Sequence, residues 1–553
     1  MRCTVLKTGR RAIPAFVVAG LIAIGAGLPA MAQDAETTPA ATGRNQQRGT
    51  GQDGQRPAQQ AERTLPADSI TQHTLELPGR SLKFTATAGS IPFRNNDGKL
   101  LAEFGYVAYT LAGAEVTKRP VTFAFNGGPG SASAWLHLGG LGPWRLPLDA
   151  PEPSASSPPV SVPNAETFLD FTDLVFIDPI GTGYSRIARP PQQQQSSSPA
   201  GQSPPPQSAG RDAGNRESGG NRFFWSVNGD VESVAEFIQL WLKKNNRFTS
   251  PKMIVGESYG GIRGPKVTSA LQTRFGVGVN ALVLVSPVLE YGIRGSWRGS
   301  SPTGLASVLP SLAASAMEQK DKTVQLNRSM LSAAETYARA EYLPDLMRGP
   351  SDTAALDRMT KRVAVLTNLP EPVVRQYGAK IDSFIYRREA NRVSGRMASV
   401  YDSSVRTFDP EPTSYYPASN EDPFTTSYAA PMQGAVADLY NARLKYNVDA
   451  TYNLSSPSAN REWVYPNSPY AMGSVTELRA ALALDPKLKV LVTHGFNDTI
   501  TPYFGSDMAL AQIPAFGGDT TRLTLTVYPG GHMFYSREGS RKAFRDDVRK
   551  LLE

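Results

Sequence analysis

The stretch Met253-Ile254-Val255-Gly256-Glu257-Ser258-Tyr259-Gly260-Gly261 decides how the rest of the chain is read. Three apolar, β-prone residues run into a G-x-S-x-G turn, the pattern of a nucleophile elbow, in which a strand turns sharply into a helix and lifts a serine hydroxyl above a sheet. Residues two before and two after the serine must be nearly free of side chain, a demand that Gly256 and Gly260 meet. The turn leaves the backbone N–H of Tyr259 free to face an oxyanion. Ser258 is therefore the candidate nucleophile. With 49 glycines in 553 residues a lone G-x-S-x-G also arises without catalysis, so the assignment depends on the partners a serine needs.

The base comes almost by elimination among four histidines. His73 lies near the N-terminal region, His137 follows Trp135 in an apolar stretch, and His494 ends the apolar run Val490-Leu491-Val492, where packing or a local hydrogen bond suits it. His532 follows a predicted strand, Leu523 to Val527, and the turn Pro529-Gly530-Gly531, which places it on a loop at a sheet edge within reach of a serine. The orienting acid belongs between serine and histidine in the chain order that α/β-hydrolases use. Asp498, just after the predicted strand Leu488 to Thr493, fills that place. The alternative is that Asp498 only caps a turn.

Phe123-Ala124-Phe125 runs into Asn126-Gly127-Gly128-Pro129-Gly130-Ser131-Ala132-Ser133, where glycines let backbone N–H groups approach a substrate closely. Amides there complete an oxyanion hole, or the glycines make a tight loop and nothing more. Taken in order, Asn126 to Gly130, Asp178-Pro179-Ile180-Gly181-Thr182-Gly183-Tyr184-Ser185, Gly256 to Gly261 and Gly531-His532-Met533 resemble the signatures of the serine carboxypeptidase family. The resemblance spans roughly Pro120 to His532. It implies an α/β-hydrolase fold, mostly parallel in its central sheet with an inserted, largely helical cap, and the release of C-terminal residues from peptides. It further implies Ser258, Asp498 and His532 as the triad, the amides of Gly128 and Tyr259 as the oxyanion hole, and Asn126 and Glu257 as the site for the substrate's terminal carboxylate.

The role implied for Glu257 has an independent physical argument. Two ionised carboxylates at hydrogen-bond distance repel, whereas a shared proton makes a short, strong bond. Binding of free-acid peptides is therefore expected to weaken as pH rises. Two departures from the family pattern bear on the substrate pocket: Ser131 stands where many relatives have cysteine, and Phe534 and Tyr535 follow His-Met where proline is frequent. An esterase or acyltransferase with the same triad is the alternative activity, and a catalytically silent peptide-binding protein is the alternative class.

The chain opens with Arg2, Lys7, Arg10 and Arg11, an apolar stretch from Ala15 to Leu28, and Ala30-Met31-Ala32, which reads as a signal peptide over 1–32 cleaved after Ala32. The apolar stretch is shorter than the ~20 residues of a spanning helix, which disfavours a membrane anchor. Arg10-Arg11 hints at twin-arginine export, and the expected destination is periplasmic or extracellular. The one cysteine, Cys3, leaves no partner for a disulfide within the chain. Half of the net charge of +8 sits in this leader, and the remainder is too slight to point to nucleic acid.

Residues 33–67, rich in Gln, Thr, Gly, Arg and Pro, read as a disordered linker, and 190–221 as a low-complexity surface loop. The hydrolase core is predicted over 68–289 and 468–553, with the cap at 290–467. Alternating residues from Leu75 to Thr110 predict antiparallel strands at the start of the sheet, and Val231, Val234, Ala235, Ile238, Trp241 and Leu242 a crossover helix into the Ser258 strand. Helices are predicted at Asn327 to Leu343 and Thr353 to Leu366 within the cap. No metal-ligand or cofactor motif is present: there is no H-E-x-x-H, cysteine pair, Walker loop or G-x-G-x-x-G on a strand-to-helix turn. The expected partners are peptides with a free C-terminus.

Overall fold

A computed structural model describes residues 64–150, 152–188, 221–294, 301–414, 421–466 and 472–553. The expected signal peptide, residues 33–63 of the expected linker and all but the last residue of the 190–221 loop lie outside the described residues. Of residues 64–67, Leu65 is buried, and the backbone and hydroxyl of Thr64 both donate to Glu103.

Three long strands, β1 (Ser69–Leu77), β2 (Arg80–Arg94) and β3 (Leu100–Leu111), form an antiparallel meander. β3 pairs antiparallel with β5 (Asp173–Ile177), and from there β4 (Val121–Phe125), β6 (Lys252–Glu257), β7 (Ala281–Val285), β8 (Lys489–Gly495) and β9 (Leu523–Tyr528) are all parallel. The spatial order is β1-β2-β3-β5-β4-β6-β7-β8-β9, with the short strand Arg186–Ile187 also on β3. The inner strands read as unbroken apolar runs because both faces of the sheet are covered. Val283 and Val285 of β7 point into one core with Val255 and Leu491, while Leu282 and Leu284 point into the other with Ile254, Val490 and Val492.

This topology positions the site. Because β4, β6, β7, β8 and β9 are parallel, their C-terminal ends lie on one edge, and all but β7 run into a segment singled out in the sequence. Asn126 follows β4, Ser258 follows β6, Asp498 follows β8, and His532 follows β9.

The crossover helix α1 (Val227–Lys244) begins at Ser226, whose hydroxyl accepts from Gly229 N at 3.1 Å, and buries every apolar position expected of it. It is tied to α2 (Gly260–Thr273), the helix of the elbow, by an ion pair between Asp230 Oδ2 and Arg263 Nε at 2.7 Å. Arg263 is fully buried, its guanidinium 5.2 Å from the ring centroids of both Phe125 and Tyr259, and its Nη1 donates to the Asn126 carbonyl at 2.6 Å. One guanidinium thus joins α1, the elbow and the loop after β4.

Between β7 and β8 the described chain is mainly helical, with a core of its own around α3 (Pro302–Lys320). Leu305, Leu309 and Leu312 of α3 pack with Tyr342, Met359 and Val363, and with Phe496, Tyr503 and Phe504 from the loop and helix after β8. The helix expected at Asn327 to Leu343 is interrupted: a 3-10 turn (Arg328–Leu331) precedes a short α-helix, and a π turn (Ala338–Tyr342) precedes the helix Leu343–Arg348. Pro344 lacks an N–H for the helical ladder, and the π turn lies immediately before it.

Asp230→Ala would leave the Arg263 charge buried without its carboxylate. It is expected to cost about 3–5 kcal/mol in urea unfolding, whereas the joint change Asp230→Leu with Arg263→Met costs less than the single one.

Candidate active site

Ser258 occupies the left-handed region at φ +61°, which a non-glycine residue adopts only when its surroundings hold it there. Its N–H donates to Val285 O at 2.9 Å, and its carbonyl accepts from Gly261 N and Val288 N at 2.8 and 2.9 Å. The glycine requirement differs in part from the sequence reading. A Cβ on Gly256 would lie 2.6 Å from Gly260 O, so Gly256 is required, but one on Gly260 would meet nothing closer than 3.6 Å. The second tight position is Gly261, whose Cβ would lie 2.4 Å from the Pro287 side chain.

Asp498 and His532 are brought together: His532 Nδ1 lies 2.7 Å from Asp498 Oδ2. The other oxygen, Oδ1, accepts from the backbone N–H groups of Ile500 and Thr501, both at 2.9 Å. Asp498 therefore caps its own turn and orients the histidine with the same carboxylate, so the two readings of this residue are compatible. Thr501, which the sequence reading did not single out, donates from its hydroxyl to Asp498 Oδ2 at 2.6 Å and sits 2.9 Å from His532 Nδ1. Its place three residues after an aspartate in a turn was the available signal.

The His532 loop is packed rather than open, and the imidazole is 1% exposed. His532 N donates to Tyr401 O at 2.6 Å, Ser286 Oγ donates to His532 O at 2.7 Å, and the Tyr401 ring stands edge-on to the imidazole at 5.2 Å. Burial pushes the imidazole's pKa down, but the charge and hydrogen bond of Asp498, with the charge of Glu257, outweigh it and the net shift is upward. Nδ1–H donation to Asp498 turns Nε2 outward as the acceptor. Nε2 is buried and makes no hydrogen bond in the structure, to Ser258 or to any other group.

The other histidines are accounted for. His137 stacks on Phe176 at 4.0 Å and bonds Tyr109 Oη at 2.7 Å, and burial pushes it down to about 3. His494 bonds Ser506 Oγ at 2.9 Å and is pushed down to about 4, again by burial. His73 stands edge-on to Trp144 on β1.

The loop after β4 lies against the elbow: a Cβ on Gly127 would come within 2.3 Å of Tyr259 N. Gly128 and Gly130 have φ of +103° and +96°. The end of the cap clamps this loop, since Ala132 N donates to Leu454 O, Ser456 N to Gly130 O and Asn460 Nδ2 to Pro129 O. Asp178 braces it from the other side, accepting from Ser133 N at 2.8 Å and Tyr452 Oη at 3.1 Å. Burial raises the Asp178 carboxyl to about 6. The Gly128 and Tyr259 amides thus sit on adjoining, firmly held backbone.

Glu257, next to Ser258, is 3% exposed. Burial pushes its carboxyl up to about 7, against the opposing pull of His532, of Tyr535 Oη at 2.7 Å and of the Asn126 amide. Asn126 and Glu257, paired in the sequence reading, are therefore near enough for the Asn126 amide to act on the carboxyl. Tyr535 was noted there only as a departure from a pattern, and single-sequence spacing gave no sign of its contact. Among the described residues no group of three or more His, Cys, Asp or Glu is placed to hold a metal ion.

This sheet, with its cap and elbow, is an α/β-hydrolase fold. A family model described as serine carboxypeptidase matches residues 78–277, and the chain is similar to serine carboxypeptidase-like 5 of Arabidopsis thaliana, 24% identical over 197 residues. That match takes in 34% of this chain and 37% of the plant protein, so the aligned part is little more than a third of the relative's length. The fold is similar to that of a prohormone-processing carboxypeptidase from Saccharomyces cerevisiae, with a TM-score of 0.52 and 17% identity over 85% of this chain and 91% of that one.

Fluorophosphonate is expected to label the protein at Ser258, as read by peptide mass mapping, and Ser258→Ala to abolish the label. Thr501→Val, which removes a donor to a charged acceptor, should slow labelling roughly 10- to 100-fold.

Proposed function

We propose that the protein is a serine carboxypeptidase that removes C-terminal residues from peptides through a Ser258-Asp498-His532 triad and an acyl-enzyme intermediate. The observation that carries this reading is the buried Glu257 carboxyl, raised to about 7, bonded to Tyr535 and adjacent in sequence to Ser258. A buried acid kept neutral beside a nucleophile suits a substrate that brings its own carboxylate. A simple ester has no group to pair with it.

In this mechanism Ser258 Oγ attacks the carbonyl of the last peptide bond as His532 Nε2 takes its proton. The Gly128 and Tyr259 amides receive the oxyanion. His532 then gives the proton to the departing amino group, and water repeats the sequence on the acyl-enzyme. Asp498, held by three donors besides the imidazole, keeps His532 in the tautomer that presents Nε2.

Glu257 and His532 titrate against one another. The Glu257 charge raises His532, so protonating Glu257 lets the imidazole lose its proton more readily. The reactive pair is neutral Glu257 with neutral His532, and each removes the charge that would hold the other in its unreactive form.

We also infer export, from the leader over residues 1–32. Among the described residues no helix is long and apolar enough to cross a membrane.

The test compares an N-blocked dipeptide with its C-terminal amide from acid to mildly alkaline pH. The free acid is expected to be cleaved faster, with its KM rising as pH passes about 7, while the amide shows no such rise. Cleavage of esters but of neither dipeptide form would transfer the triad to an esterase, and absence of turnover together with peptide binding would favour the silent binding protein.

A further inference from the structure

Tyr535 belongs to neither the triad nor the oxyanion hole, yet its ring is fully buried and its hydroxyl donates to Glu257 Oε2 at 2.7 Å. The ring has a fitted seat. A Cβ on Gly139 would lie 2.7 Å from its Cε2 and one on Gly140 3.0 Å from its Cδ2, so this stretch leaves no room for side chains at the two positions. Asn126 approaches the same carboxyl. Because Asn126 Oδ1 already accepts from Leu136 N at 2.9 Å, its NH2 group is the part left for Glu257. The Tyr535 hydroxyl is therefore a neutral donor to the carboxyl that is not a member of the triad.

We propose that Tyr535 is a positioning residue that fixes the Glu257 carboxyl and sets the upper pH limit for binding peptides with a free C-terminus. The proposal rests on the reading of Glu257 as the group that shares a proton with the substrate carboxylate. A hydroxyl donating to Oε2 makes that oxygen the acceptor in both protonation states, so the exchangeable proton resides on Oε1. The same hydrogen bond is stronger to the ionised carboxylate than to the neutral acid and therefore favours ionisation. Tyr535 opposes burial here and brings the loss of the proton to lower pH.

The other groups that act on Glu257 are accounted for. His532 pulls its pKa down by charge, Asp498 pushes it up, the Asn126 amide pulls it down, and Tyr401 lies within range of its field. His532 and Asp498 cannot change without disturbing the triad, and Asn126 is assigned to the substrate itself. Tyr535 is the partner through which the proton affinity of Glu257 can be altered with the reacting groups left in place. Its own hydroxyl stays protonated throughout, since burial and the Glu257 charge hold it well above its ordinary value.

The experiment measures KM and kcat against pH for an N-blocked dipeptide and its methyl ester, with the parent enzyme and Tyr535→Phe. Loss of the donor is expected to move the pH at which the free-acid KM rises upward by about one unit, while the KM of the ester shows no such rise in either enzyme. In a Glu257→Gln background, Tyr535→Phe is expected to leave the pH profile where it was. A free-acid KM midpoint that stays put or moves down in Tyr535→Phe overturns the proposal while leaving Glu257 as the carboxylate group. A parent enzyme whose free-acid KM has no pH dependence overturns the Glu257 reading, and the role of Tyr535 falls with it. Should Tyr535→Phe fail to fold, Gly139→Ala displaces the ring by contact at Cε2, and the same upward move is expected of it.

Discussion

The backbone of Ser258, at φ +61°, is the constraint on which the rest of the site depends. A non-glycine residue held there costs about 1–3 kcal/mol, and the surrounding structure must supply that restraint. It comes chiefly from the segment after β7. Val285 O accepts from Ser258 N, and Val288 N donates to Ser258 O. Between them Ser286, itself at φ +45°, bonds His532 O through its hydroxyl, and its carbonyl lies 3.0 Å from Thr501 Oγ1. Val285, Ser286 and Val288 thus register Ser258 against His532 and against the turn that carries Asp498. The parallel sheet brings these loops to one edge, and this segment holds them in place.

A second layer of restraint comes from the insertion between β7 and β8. Tyr401 O holds the His532 N–H, Asp402 Oδ2 holds Gly531 N, and Leu454, Ser456 and Asn460 grip the loop carrying Gly128. The insertion therefore supports both His532 and the loop carrying Gly128. The sheet supplies the order of the parts, and the cap supplies much of their rigidity.

Much of this arrangement was legible before any coordinates. The Ser258 elbow, the Asp498 turn and the His532 loop could be read because each couples a strand pattern to a glycine or turn residue that the backbone requires. The sheet could be read because its inner strands are short apolar runs separated by helical spacing. What escaped was contact between side chains far apart in the chain. Nothing in the spacing of Tyr535 announces that its hydroxyl meets Glu257, 278 positions away. Thr501 and Ser286 escaped for a related reason, since a hydroxyl bonding backbone and carboxylate leaves no periodic trace. At the elbow the tight glycine proved to be Gly261 rather than Gly260, because the obstruction is Pro287 on the neighbouring loop. The helix expected at Asn327 to Leu343 was misjudged in continuity, because apolar spacing does not reveal a π turn.

The most direct test of this account is a crystal structure of Ser258→Ala soaked with an N-blocked dipeptide at acid pH. The account predicts the terminal carboxylate within hydrogen-bond distance of Glu257 and Asn126, and the scissile carbonyl oxygen facing the Gly128 and Tyr259 amides. A dipeptide bound with its carboxylate in solvent, or turned away from Glu257, would contradict it.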